Sequence, residues 1–163
     1  INYQEYLYNL VKDLNPKNIL EIGFNAGHSA CCFLNAAPKA KMVTFDICQH
    51  GTEKDAEKVL KKYFDITLIQ GDSIETVPQY FDDNPTNTFD LVFIDGWHSG
   101  EHPVKDTVNT MDSVNKNGIL IIDDYDCDTV HHCDNIDFVS KGFKDTDIES
   151  IIEKEIRVLK KIG

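Results

Sequence analysis

Hydrophobic positions along this chain alternate between a helical and a strand-like pattern. Tyr3, Tyr6, Leu7, Leu10, Val11 and Leu14 share one helical face. Asn15-Pro16 closes that segment, because a residue before proline avoids the helical region. The short apolar run at 18–22 predicts a strand, 29–37 a buried helix and 42–45 a second strand. Residues 52–63 predict an amphipathic helix opened by Thr52 with Asp55, its inward side Ala56, Val59, Leu60 and Tyr63. A third strand is expected at 66–69, a short helical turn at 73–80, a polar loop at 82–88 and a fourth strand at 90–94. Pro103 suits the first turn of a helix whose inward face is Val104, Val108 and Met111. Asn117-Gly118 stops the chain before a fifth strand at 119–122. Thr146 with Glu149 forms a capping box ahead of Ile148, Ile151 and Ile152, and 156–162 extends that helix or makes a sixth strand.

The strands are short, rich in β-branched residues and apolar on both faces, as in a parallel sheet covered by helices. Their alternation with helices predicts an α/β fold: a three-layer, doubly wound, mostly parallel sheet forming one domain over 1–163. With 163 residues and 41% hydrophobic, the chain is long and apolar enough for a core of its own.

Charge narrows the partners. Asp and Glu number 28 against 16 Lys and Arg, for a formal charge of −12. Nucleic-acid binders cluster basic residues, and Lys61-Lys62 and Lys160-Lys161 are only pairs, so no nucleic-acid partner is expected. No apolar run approaches the roughly 20 residues of a membrane helix, and the opening INYQEYLYNL does not read as a signal peptide. The five cysteines include no C-x-x-C pair, which fits a reducing, cytoplasmic setting. Cys127, His131, His132 and Cys133 form a soft-ligand cluster, but without a second ligand pair they read as a polar loop or helix start rather than a zinc site.

Each predicted strand ends in an acid: Glu21, Asp46, Asp72, Asp95, then Asp123 with Asp124. Ligands of open parallel sheets bind beyond the carboxyl ends of the strands, so these acids are expected to line one rim. The first turn, E-I-G-F-N-A-G-H-S, places Gly23 and Gly27 where a tight turn and close backbone approach to a ligand are needed. Asn25 and His28 stand where a dinucleotide fingerprint wants glycine, and no Lys-Ser/Thr pair follows for phosphate.

The string LEIGFNAGHSA resembles motif I of class I S-adenosylmethionine-dependent methyltransferases, with Asn25 replacing the middle glycine. The set IDGWHS, 94–99, and IIDDY, 121–125, resembles the macrocin-type and metal-dependent catechol-type O-methyltransferases. The likeness covers 18–125 and implies a Rossmann-like methyltransferase fold. It implies cofactor contacts from Glu21, Gly23, Phe24, Asn25, Ala26, Gly27 and Ser29. It adds Asp46 at the ribose, Gly71, Asp72 and Ser73 at the adenine, and further cofactor contacts from Ile47 and Asp95. It also implies Mg²⁺ or another hard divalent cation on Asp95, Asp123 and Asp124, and catalysis by His98 and Asp95 on a hydroxyl of a small molecule. Trp97, His28 and Phe24 either wall the pocket or serve the core. The family usually carries seven strands, so a chain with five clear strands and at most one more is expected to lack the last. A cofactor-binding, non-catalytic module of a larger assembly is the alternative, and a homo-oligomer is compatible with either.

Overall fold

A computed structural model describes residues 2–146 and 155–163. In chain order the elements are α1 (Tyr3–Leu14), β1 (Asn18–Ile22), α2 (His28–Ala36), β2 (Lys41–Asp46), α3 (Glu53–Leu60), β3 (Asp65–Gln70), α4 (Ser73–Asp83), β4 (Phe89–Ile94), α5 (His102–Met111), β5 (Val114–Ile122), a 3-10 turn (Val130–Asn135), β6 (Phe143–Asp145) and β7 (Arg157–Lys161). The strands form one sheet in the order β3-β2-β1-β4-β5-β7-β6. β1 to β5 run parallel, and β7 is antiparallel to both β5 and β6. The order reverses beside β1, so the ends of β1, β2 and β4 border a crevice where ligands of this architecture bind.

The sheet separates two cores. One face packs Leu7, Val11, Phe33 and Leu34 against Ile19, Leu91 and Ile121. The other packs Val77 and Met111 with Leu20, Val92 and Leu120, so the central strands are apolar on both sides. Asp90 stitches the opposite end: Oδ2 accepts from the Lys17 and Asn18 N–H groups, and Oδ1 from Asn115 Nδ2 at 2.9 Å. Among the described residues no helix is long and apolar enough to cross a membrane.

Several expectations are corrected. The sheet has its seventh strand: β6 is three residues long, two of them exposed, and carries no hydrophobic pattern to announce it. Thr146 continues that hairpin, its N–H and hydroxyl donating to the Val158 carbonyl, while the rest of the expected capping box lies outside the described residues. β5 begins at Val114 and carries Asn117-Gly118 inside it, beside an irregularity in its pairing with β4. α3 ends at Leu60, short of Tyr63; Val59 and Tyr63 are exposed and Thr52 makes no side-chain cap, while Glu53 turns inward, and its Oε1 accepts the His50 N–H at 2.9 Å. α4 runs on through Pro78 to Asp83 because Val77, Tyr80 and Phe81 pack into the second core.

The inner face of α5 is also different. Pro103, Asp106, Thr107, Thr110 and Met111 are buried, whereas Val108 is exposed. Thr107 and Thr110 donate their hydroxyls to the Pro103 and Asp106 carbonyls, each at 2.7 Å. Hydroxyls satisfied within their own helix bury at little cost, which a hydrophobicity pattern does not register.

Candidate functional site

The turn after β1 is built from left-handed residues: Gly23 at φ +94°, Asn25 at +47° and Gly27 at +75°. A Cβ on Gly23 would lie 1.8 Å from the Asp95 carbonyl oxygen, so glycine alone lets the β1 and β4 ends meet. Asp46 fastens this turn to β2. Its Oδ2 accepts from the N–H groups of Phe24 (2.9 Å) and Asn25 (2.8 Å), and its Oδ1 from that of Cys48 (2.6 Å).

Two cavities meet at Gly23, Asn25 and Asp95. The first, about 350 Å³, is walled by Asp46, Ile47, Gly71, Asp72, Ser73 and Trp97 among others. The second, about 460 Å³, lies toward α1 and α2, with Tyr3, Phe24, His28, Ser29 and Asp123 in its wall. Most of the expected cofactor residues thus border one of two adjoining spaces. Glu21, Ala26 and Gly27 line neither. Glu21 is fully buried, and its oxygens accept from Ser29 Oγ at 2.5 Å and Thr44 Oγ1 at 2.7 Å. It clamps α2 to β2 beneath the turn, and burial pushes its pKa up to about 8 against those two hydrogen bonds.

The acids of β4 and β5 divide. Asp95, His98 and Asp124 place ligand atoms within 4.8 Å of one another, and they are the only such cluster among the described residues. His98 Nδ1 stands 2.9 Å from Asp124 Oδ2, and Nε2 stands 3.4 Å from Asp95 Oδ1. Asp123 is outside that cluster and faces the second cavity; the gathered triad therefore contains His98 in its place. Asp95 holds its proton more tightly than usual, chiefly through burial, and His98 does so chiefly through Asp95. Burial first and Asp95 second push Asp123 up to about 7. The Tyr3 hydroxyl is buried without a hydrogen bond, and burial followed by Asp123 raises its pKa steeply.

The 127–133 cluster does not assemble as ligands. Cys133 Sγ is buried 3.6 Å from Thr107 Oγ1, His131 faces Asp134, and Cys127 Sγ lies beside Thr129 Oγ1. Thr129 also donates to the His98 carbonyl, so this segment backs the β4–α5 turn.

Sequence reasoning missed Tyr3, Gln49, His50, Gly96 and His102 in the cavity walls. His102 had a signal: it precedes Pro103 at the start of a helix, and helix starts face the same rim as strand ends. Its Nε2 lies 3.2 Å from Asp72 Oδ1.

Catechol O-methyltransferase B of Danio rerio is 24% identical over 157 residues, covering 90% of this chain and 57% of its own length. The chain thus spans little more than half of that curated relative. The O-methyltransferase TomG of Streptomyces achromogenes, in complex with SAM, superposes with a TM-score of 0.78 at 17% identity, covering 98% of this chain and 79% of that one. The O-methyltransferase of Bacillus cereus, in complex with SAH, gives 0.79 at 15% identity, covering 99% and 82%. At such identities the structural likeness concerns the fold. The sequence itself matches the family described as "Methyltransferase domain" over residues 20–125, which places both the β1 turn and the Asp123-Asp124 pair inside the match. The chain belongs to that methyltransferase-domain family.

Proposed function

We propose that this chain binds S-adenosylmethionine and transfers its methyl group to a hydroxyl of a small molecule, with a divalent cation assisting. The observation that carries the reading is the meeting of two cavities at Gly23, Asn25 and Asp95. The first suits an adenosine: Asp46 at its wall retains acceptor capacity for ribose hydroxyls, and Ile47 and Trp97 offer apolar surface to the base. The second suits the rest of the cofactor and the acceptor. Carboxylates near the junction suit a positive sulfonium. The SAM and SAH bound in the two structural neighbours agree with this.

His98 is the base in this reading. Its Nδ1 faces Asp124 and its Nε2 is buried toward Asp95, which borders both cavities, so His98 takes up the acceptor proton by way of Asp95. The hydroxyl oxygen then forms its bond to the methyl carbon as the carbon–sulfur bond breaks, and sulfur keeps the electron pair. The protein's share is positioning and proton uptake.

The donor set fits a hard or borderline divalent cation such as Mg²⁺: Asp95 and Asp124 supply carboxylate oxygens beside one imidazole, with Asp123 next in the chain. When bound, such a cation would acidify and orient the acceptor hydroxyl. A net charge of −12 and the absence of basic clusters support a small-molecule partner over nucleic acid.

Calorimetric titration with S-adenosylmethionine, followed by incubation with catechols and sugar hydroxyls with Mg²⁺ or with EDTA, tests all parts. Binding, a methylated product and its loss in EDTA are expected. Binding without product from any acceptor would favour the non-catalytic module, and absence of binding would sink the reading. His98→Ala should cut turnover while leaving cofactor affinity intact.

A further inference from the structure

The proposed chemistry leaves one buried acid without a task. Asp106, on α5, is 0% exposed; the Ser73 hydroxyl and His102 are its polar neighbours, but no hydrogen bond of good geometry reaches either carboxylate oxygen among the described residues. An unpaired carboxylate is costly to bury. Burial pushes its pKa up to about 6, with Ser73 and His102 acting against the shift.

Asp106 lies directly beneath the β4–α5 turn. A Cβ on Gly96 would stand 3.1 Å from its Oδ2, so a side chain there would crowd the carboxylate. Beside it is a small pocket of about 10 Å³ bordered by Gly96, Trp97, His98, Asp106 and Asp123, with Ile94, Pro103, Ile122 and Val130 completing its wall. That is about the room one water molecule needs, and a buried water needs polar partners such as these. His98 Nε2 is the other buried polar atom of this region without a hydrogen bond.

We propose that one water molecule occupies this space as a fixed part of the fold, hydrogen-bonded to Asp106, and that through it Asp106 positions the turn carrying Trp97 and His98. The turn serves the site, since Trp97 walls the first cavity and His98 stands between Asp95 and Asp124. Asp106 itself lines neither of the two large cavities, so it acts on the turn and not on a ligand. The consequence for ligand binding rests on the S-adenosylmethionine reading; the water and the turn do not.

The test has three readouts. A crystal structure of the unmodified protein, at a resolution that orders solvent, should show density within hydrogen-bond distance of Asp106 Oδ1 or Oδ2 in this space. A dry cavity overturns the inference and needs no variant. Asp106→Asn keeps the shape but loses one acceptor, and Trp97 is the only tryptophan, so its emission reads this turn alone. The variant should melt no lower than the parent, because an uncompensated charge is gone. Its Trp97 emission should nevertheless shift, and its Kd for S-adenosylhomocysteine should rise about tenfold, a small displacement of a wall residue being enough for that. Unchanged emission and affinity would overturn the proposal, as would a melting temperature that falls with them, the mark of a merely structural residue. If the unmodified protein does not bind S-adenosylhomocysteine, the cofactor reading fails, and density and emission still decide the role of Asp106.

Discussion

Glu21 offers a quantitative test of how the β1 turn is held. Its ordinary pKa of 4.5 rises to about 8 in the fold, mainly because the carboxyl is fully buried. Between those values the native protein keeps a proton that the unfolded chain has released. Raising the pH therefore favours unfolding: the penalty begins near 4.5, grows by about 1.4 kcal/mol per pH unit, and is complete once the pH passes 8. Across the interval it amounts to on the order of 5 kcal/mol. Asp106, at about 6, and Asp123, at about 7, titrate in the same direction, so the slope of the parent protein has several sources. Glu21→Gln isolates one of them. A protonated carboxyl and an amide both offer one donor and one acceptor end to Ser29 and Thr44, so the variant should fold, yet it cannot ionise. Urea denaturation between about pH 5 and 8 should give a stability curve flatter than the parent's by about 1.4 kcal/mol per unit over most of that range. Parallel curves would show that Glu21 is ionised in the native state and would refute the argument.

Other expectations follow from single contacts. Gly23→Ala sets a methyl 1.8 Å from the Asp95 carbonyl oxygen at φ +94°, so it should cost about 3 kcal/mol or more and abolish S-adenosylhomocysteine binding; parent-like melting and affinity would reject the turn geometry. Asp46→Ala removes the acceptor of three N–H groups and should weaken that binding at least about tenfold by calorimetry; an unchanged Kd would take Asp46 out of the site. Arg157 pairs with Asp145 at 2.7 Å through Nε, reaches Asp134, and lies over the Phe138 ring. Arg157→Met should therefore speed proteolysis between 126 and 145, and an unaltered cleavage pattern would show that those contacts do not hold the segment.

The sequence by itself determined the parallel α/β layering, because five apolar runs buried on both faces admit few other solutions. It also determined the rim of acids, since parallel strands joined by helices send the carboxyl ends of β1 to β5 to one side. Left-handed positions were legible too: Gly23, Asn25 and Gly27 are residue types that tolerate such a backbone. What only the tertiary structure decided depends on partners distant in sequence. Glu21 and Asp46 share the rim's chemistry, yet one is sealed under Ser29 and Thr44 while the other lines a cavity. Asp123 and Asp124 are neighbours that point to different surroundings, and His98, not Asp123, completes the cluster. α4 outruns its proline, and α5 buries threonines in preference to Val108, because packing and local hydroxyl bonds outweigh propensity. The edge strand β6 leaves no trace in a hydrophobic pattern, since three residues with two exposed gain their order from pairing with β7 and from the packing of Phe143 into the second core.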